Sequence, residues 1–464
     1  MVSFKRCRRP PARGRVGRVS YYLHHGGWWL YYRESGQVVR RRVAETRADA
    51  ERIAAQVNGQ LACDLPTPYS FEPVTVPELR SRFLAFHENV LRSSVATITR
   101  YEAATQHLVD FVAAHAPDLP AHQLQVDQFA AFLRNREVSP NGRKNTPRRR
   151  LLDSGVWFIL EVCRSLYGYA QRMRHLPPYG ANPFTSLRLD RMQISDAKAV
   201  FVFTAETELQ FLQAADTWAF PIHATLAKTG MRPGELAHLL IEDLDLEQGW
   251  LHVRNKVELG WRIKTGVERR IPLVAELIQL LRMVVGPRTA GPVFLQKRFW
   301  AGAVAIPTCD RAGLAHLLEQ RIQDAEQRQA GPLARVDKLR LARSAWRNAG
   351  ALNGDDIRNS FIRIAQYAGL SAATCPKSWR HTFATLLQDA NVDPLIRQLT
   401  LGHKPTNLSE GLGMTGRYSH SRPETQKSSI DRALRLWPGS LELVVQMSTG
   451  EQHAAAAFTS SGRA

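Results

Sequence analysis

Two interruptions constrain this chain before any element is assigned. Pro66 to Val76 holds three prolines, Pro66, Pro68 and Pro73, and reads as a linker. Residues 188 to 202 read as a second. A chain of 464 residues is too long for one ordinary core, so the interruptions predict separate bodies. The expected fold class is multidomain and mainly α. A small β-rich amino-terminal module comes first, then a helical domain, then an α+β domain with a small antiparallel sheet.

Residues 1–18, rich in Arg, Pro and Gly, read as a flexible basic arm. From Val19, VSYYLHHGGWWLYYRESGQVVRRRV gives three aromatic or β-branched runs separated by Gly26-Gly27 and Ser35-Gly36, each a usable hairpin turn. Thr46 then caps a helix, with Asp49 three residues on, and Asn58-Gly59 closes it. The resulting module at 19–62 carries Arg40, Arg41 and Arg42. It either lays its sheet on DNA or contacts another subunit with its arginines in water.

Four segments between 77 and 187 repeat apolar residues at helical spacing and predict a compact helical domain. Between its third and fourth helices, NGRKNTPRRR brings Arg143, Lys144, Arg148, Arg149 and Arg150 up to a helix start. Cations at a helix N-terminus suit a phosphate group; the alternative is a solvated charged loop. The third domain, 200–437, opens at Thr204 as a cap. Helices run to Lys228 before the turn TGMRPGEL, and WLHVRN and ERRIPL read as short strands flanking the connection Lys256 to Val267. Residues 310–370 read as charged, exposed helices with no assignable chemistry. Residues 438–464 read as a disordered tail.

The formal net charge is +20, from 62 Lys and Arg against 42 Asp and Glu. A balance that basic calls for a polyanion, and double-stranded DNA leads because neutralised phosphates release counterions. The five cysteines are odd in number and lack C-x-x-C spacing, which argues for a reducing compartment. No apolar run is long enough to span a bilayer. The expected location is cytoplasmic, or nuclear in a host with a nucleus, with no membrane partner.

The chemistry concentrates in the third domain. Non-bridging phosphate oxygens are held best by guanidinium groups, which stay charged and donate in pairs. Arg232, in the turn Gly230-Met231-Arg232-Pro233, and Arg380, near a helix start, are two such groups. A tyrosine attacking phosphorus needs help losing its proton, and the leaving oxygen needs one supplied. Lys264, beside Thr265 and Gly266, is placed as a mobile donor; Lys256 in the same connection is its rival. His403, after Leu401-Gly402, and Lys377, one turn before Arg380, add hydrogen bonds. Tyr418 is the only tyrosine after Arg380. Singly, each residue has a plainer role in packing, capping or salt bridging. The acids form no cluster for two-metal chemistry, so neither a metal nor a cofactor is expected.

In order, TGMRPGEL, IKTGVERRIPL, PKSWRHTFAT, LTLGH and GRYSH resemble the signature boxes of the tyrosine recombinases, the phage integrase family. The resemblance covers about residues 200–435. The domain at 77–187 is similar to that family's helical core-binding domain, and 19–60, more loosely, to integrase arm-binding domains. The resemblance implies that Arg232 and Arg380 clamp the scissile phosphate, that Lys264 protonates the leaving 5′ oxygen, and that Tyr418 forms a 3′ phosphotyrosyl bond with His403 hydrogen-bonding nearby. Lys377 stands where the family commonly has histidine, which leaves its role open between proton removal and phosphate binding. NLSEGLGM makes the connection from His403 to Tyr418 longer than a compact member needs, implying that Tyr418 swings in. The resemblance further implies a tetramer on DNA, served by accessory DNA-bending or directionality factors. The helix around 424–436, with Ile430, Leu434 and Leu436, docks either on a neighbour or on its own domain. Rival readings are a type IB topoisomerase and a DNA-binding regulator that does not cleave.

Overall fold

The structure is a computed structural model that describes residues 13–34, 36–139, 146–178, 180–195, 199–300, 309–402 and 422–449. It divides into two compact units, residues 1–198 and 199–464.

The first unit opens with an antiparallel sheet of four strands, not three: β1 (Arg13–Val16), β2 (Val19–His24), β3 (Gly27–Glu34) and β4 (Gln37–Ala44), in that order. Residues 13–18 are therefore not part of a flexible arm. Arg13 to Val16 pair with Tyr22 to Val19, and Gly17, at φ +52°, supplies the left-handed residue that the intervening turn needs. Helix α1 (Arg47–Ala62) covers one face, burying Ala50, Ala54, Val57 and Leu61 against Val19, Leu30 and Tyr32. Thr46 caps it as expected, but the helix runs through Asn58-Gly59. The Asn58 side chain is engaged elsewhere, accepting the Arg18 N–H at 2.8 Å.

The stretch after α1 is pinned to the sheet. Glu34 accepts both the backbone N–H of Thr67 at 2.8 Å and its hydroxyl at 2.7 Å, and Tyr32 bonds the same hydroxyl. A helical domain follows, made of α2 (Val76–Ala85), α3 (Val95–His115), α4 (Val126–Asn135) and α5 (Asp153–Arg172). Its core contains Leu79, Phe83, Leu108, Phe129, Leu166 and Tyr167. Two short strands, β5 (Glu137–Val138) and β6 (Arg149–Arg150), pair between α4 and α5.

In the second unit, α6 (Ala205–Gln213), α7 (Ala219–Thr229) and α8 (Pro233–Ala237) lead into a three-stranded antiparallel sheet. Its strands are β7 (Leu244–Asp245), β8 (Trp250–Val253) and β9 (Arg269–Pro272). Among the described residues seven helices follow: α9 (Ala275–Val285), α10 (Lys297–Trp300), α11 (Arg311–Arg328), α12 (Arg335–Asn348), α13 (Gly354–Tyr367), α14 (Lys377–Asp389) and α15 (Pro394–Leu401). The core is aromatic around α14: Trp379 stacks on Phe203 with ring centroids 4.0 Å apart, and Phe211 and Phe361 meet it edge-on.

After the undescribed residues 403–421 come α16 (Pro423–Leu434) and α17 (Pro438–Thr449). Helix α16 buries Ile430, Ala433 and Leu434 in the core of its own unit, while Leu436 is exposed. The expected tail thus begins with an ordered helix. Leu441, Leu443 and Val444 of α17 are buried, and the Ser440 hydroxyl accepts from Lys228 at 2.5 Å. Lys228 also pairs with Glu208, both side chains being nearly inaccessible, so α17 is tied to α6 and α7 through a buried charge pair.

Candidate active site

Two helix ends build the centre of the site. Helix α7 stops at Gly230, whose φ is +60°, and a Cβ there would sit 2.4 Å from the Phe383 ring. Only glycine lets this backbone lie against α14. Helix α15 stops at Gly402, also left-handed at φ +66°, where a Cβ would meet the Arg269 side chain at 2.8 Å. Arg380 joins the two ends, donating to the carbonyl of Gly230 at 2.9 Å and of Leu401 at 2.5 Å. C-terminal carbonyls carry partial negative charge, so they suit a cation that is largely buried. Burial, then the nearby Arg232 charge, pushes Arg380 down to about 10, against the pull of Glu235. It remains a cation at neutral pH.

Arg232 begins α8. Its guanidinium lies 2.8 Å from Glu235, whose other oxygen accepts the Arg232 backbone N–H at 2.9 Å. Glu235 also takes two bonds from Arg269, at 2.6 and 3.1 Å, and Arg269 donates through Nε to the Thr400 carbonyl. Burial opposes the Glu235 charge, but the hydrogen bonds and charge of Arg269, and then those of Arg232, hold its carboxyl below the ordinary range. Glu235 and Arg269 were absent from the sequence assignment, although both stand in quoted motifs. One buried carboxylate fixes two guanidiniums, and Arg232 keeps 24% of its side chain exposed.

The lysines separate by environment. Lys256 is buried with its Nζ 2.7 Å from Asp243 and faces the Trp261 ring, a structural ion pair. Lys264 is exposed, in the turn between Ile263 and Gly266. Lys377 is exposed at the first position of α14. His381, one residue past Arg380, is lowered by burial and then by Lys377 and Arg380, and its Nε2 has no hydrogen-bond partner among the described residues.

His403 and Tyr418 lie outside the described residues. The positions flanking them are fixed: the Thr400 carbonyl takes the Arg269 bond, and its hydroxyl accepts from Gln426 of α16 at 3.0 Å. Thr400 thus anchors the chain on both sides of 403–421, next to the arginine cluster.

In the first unit, Arg40 and Arg42 share the sheet face opposite α1 with Arg13, Arg15, Arg33, Tyr22, Trp29 and Tyr31. Arg40 donates to the Tyr22 hydroxyl at 2.5 Å, and Arg42 pairs with Glu45 at 3.1 Å. Arg41 points to the other face, its guanidinium 5.7 Å from the Tyr69 ring centroid. Arg143 and Lys144 lie outside the described residues. Arg148, Arg149 and Arg150 are exposed at and beside β6. The helix start they approach carries its own carboxylate, Asp153, paired with Arg134 at 3.1 Å, which works against a phosphate seated there.

Residues 202–425 match the phage integrase family. This part of the chain belongs to that family. The integrase region contains the whole arginine cluster, Lys264 and Lys377, and it spans 403–421. Among solved structures, the chain is similar to the Tn1549 transposon integrase in complex with a circular intermediate DNA, at 17% identity and a TM-score of 0.47, covering 77% of this chain and 99% of that one. It is also similar to a lambda integrase dimer bound to a COC′ core site, at 16% identity and a TM-score of 0.42, covering 90% and 99%. No curated protein matches it. No helix among the described residues is long and apolar enough to cross a membrane.

Proposed function

We propose that this integrase-family chain is a site-specific DNA recombinase that cuts and rejoins DNA through a phosphotyrosine. The observation that carries the reading is the pair Arg232 and Arg380, held beside each other by Glu235 and by two helix-end carbonyls. Two guanidiniums so fixed suit the non-bridging oxygens of a phosphodiester, on which negative charge builds as phosphorus gains a fifth ligand. The Tyr418 hydroxyl releases its proton to solvent as its oxygen attacks phosphorus, and the bond from phosphorus to the 5′ oxygen breaks. Lys264 supplies that oxygen with a proton. The product is a 3′ phosphotyrosyl bond and a free 5′ hydroxyl. Attack by the 5′ hydroxyl of another strand reverses these steps and completes the exchange. The bond energy stays in the phosphotyrosine, so the sequence of steps consumes no nucleotide. His403 and Lys377 donate hydrogen bonds to the same phosphate.

The sheet face bearing Arg13, Arg15, Arg33, Arg40 and Arg42 supplies a second contact with DNA, with its aromatic residues against sugar and base. Exchange between two duplexes requires one protomer per cleaved strand, hence a tetramer on DNA. The test is covalent trapping on a nicked duplex drawn from the ends of the element that encodes the chain, in EDTA. The unaltered protein is expected to give a protein–DNA band on a denaturing gel, and Tyr418→Phe none. DNA that is bound without any such band would overturn the reading in favour of a regulator.

A further inference from the structure

The connection between β8 and β9 makes an excursion before it reaches Lys264. Lys256 and Trp261 exchange backbone hydrogen bonds at 3.0 and 3.1 Å, which closes the base of a short loop. The loop is held on three sides. Lys256 is buried on Asp243. Arg311 of α11 pairs with Glu258 and donates to the Asn255 carbonyl at 3.0 Å. Trp346 of α12 donates its indole N–H to the Leu259 carbonyl at 3.0 Å. Gly260, at φ +67°, lies so close to α12 that a Cβ would come within 2.7 Å of the Ala342 methyl. Thus α11 and α12, to which the sequence assigned no chemistry, buttress this loop.

Asn255 carries that rigidity to the lysine. Its side-chain oxygen accepts the Ile263 N–H at 3.0 Å, and its side-chain nitrogen donates to the Gly266 carbonyl at 3.1 Å. The partners fix the amide orientation, since an N–H must meet the oxygen and a carbonyl the nitrogen. These are the two ends of the tight turn Ile263-Lys264-Thr265-Gly266, itself closed by the Gly266 N–H on the Ile263 carbonyl at 2.8 Å. The backbone N–H of Asn255 is in turn held by Glu268 at 2.8 Å.

We infer that Asn255 is a positioning residue for Lys264, clamping both ends of its turn so that the ammonium delivers a proton to the leaving oxygen from a fixed base. The inference rests on the strand-cleavage reading above. A clamp of this kind acts on one proton transfer, and that step can be bypassed chemically. When the 5′ bridging oxygen of the scissile phosphate is replaced by sulfur, the leaving thiolate departs without a proton.

The experiment compares single-turnover cleavage of the oxygen and sulfur substrates by the full chain, its Lys264→Ala, Asn255→Ala and Arg311→Ala variants, with thermal melts of each. Asn255→Ala is expected to slow the oxygen substrate by roughly 10- to 100-fold and to cleave the sulfur substrate within about threefold of the unaltered protein, as Lys264→Ala does. Arg311→Ala, which loosens the buttress and spares the amide, is expected to show the same pattern more weakly. An Asn255→Ala protein that cleaves the oxygen substrate normally, or one slowed equally on both substrates, would overturn the clamp while leaving the cleavage reading standing. Absence of cleavage by the unaltered protein on either substrate would overturn both.

Discussion

Arginine sits in two different environments in the two units. On the outer face of the amino-terminal sheet, Arg13, Arg15, Arg33 and Arg40 stand in solvent. In the integrase region, Arg269 and Arg380 are buried, and Arg232 is half-buried on a carboxylate that is 2% exposed. An exposed cation contributes counterion release and little geometry. A buried one is costly to desolvate and stays only where fixed acceptors meet some of its donors. Here the Gly230, Thr400 and Leu401 carbonyls and Glu235 meet them. The difference teaches where binding would stop and chemistry start: an exposed cationic face suits a polyanion anywhere along its length, whereas a fixed cluster suits one phosphate in one place.

The sharpest break between the two sets is expected in strand cleavage. Arg380→Ala should slow it by about a thousandfold or more on DNA that remains bound, the scale of losing a preorganised donor to developing charge. The pair Arg40→Ala and Arg42→Ala should leave cleavage of saturating DNA nearly unchanged. Single-turnover rates decide this.

Stability comes next. Glu235→Ala leaves Arg269 without its buried carboxylate and should cost about 3 to 5 kcal/mol, seen by denaturant unfolding. The pair of sheet-face substitutions should stay within about 0.5 kcal/mol.

Acid should then find the catalytic framework. His223 is fully buried, takes the Trp379 indole N–H on Nδ1 at 3.4 Å and meets the Ser360 hydroxyl with Nε2 at 3.0 Å. Burial lowers it to about 3. The unfolded chain takes up this proton near its ordinary value of 6.5, so between there and 3 the unfolded state binds more protons and stability falls as the pH falls. The full loss is at most about 5 kcal/mol. Thermal melts across that range should slope downward towards acid for the unaltered protein and less steeply for His223→Gln.

The smallest effect belongs to the sheet. Arg40→Ala with Arg42→Ala should reduce the slope of log affinity against log salt by up to about 2, one for each phosphate contact removed. An unchanged slope would show that this face is turned away from DNA.

Much of this was legible in the sequence, for identifiable reasons. Arg232 and Arg380 sit in two separate short boxes, and the glycines of the first and of LTLGH, Gly230 and Gly402, proved to be the left-handed helix ends between which Arg380 is held. Lys264 was preferred to Lys256 because KTG shortly before ERRIPL fits the family's box better; what the spacing did not reveal is that Asp243, thirteen residues away, buries Lys256. Arg269 was passed over as part of a strand. Its signal was the alternation itself: Arg269 and Ile271 point inward while Arg270 points out, and an inward arginine needs an acid, which Glu235 supplies. Strand β1 was hidden because a four-residue run beside Arg, Pro and Gly has the composition of a loose arm, and only pairing with β2 orders it. Helix α17 was hidden by the polar residues that follow it.

The claim that the buried arginines act on phosphate charge is tested most directly with a substrate whose scissile phosphate carries a methyl group in place of one non-bridging oxygen. That group is neutral where the phosphodiester is negative. If Arg380 works by holding that charge, Arg380→Ala should lose about a thousandfold on the phosphodiester and less than about tenfold on the neutral substrate. An equal loss on both would contradict the account, and would make Arg380 a brace between two helix ends and nothing more.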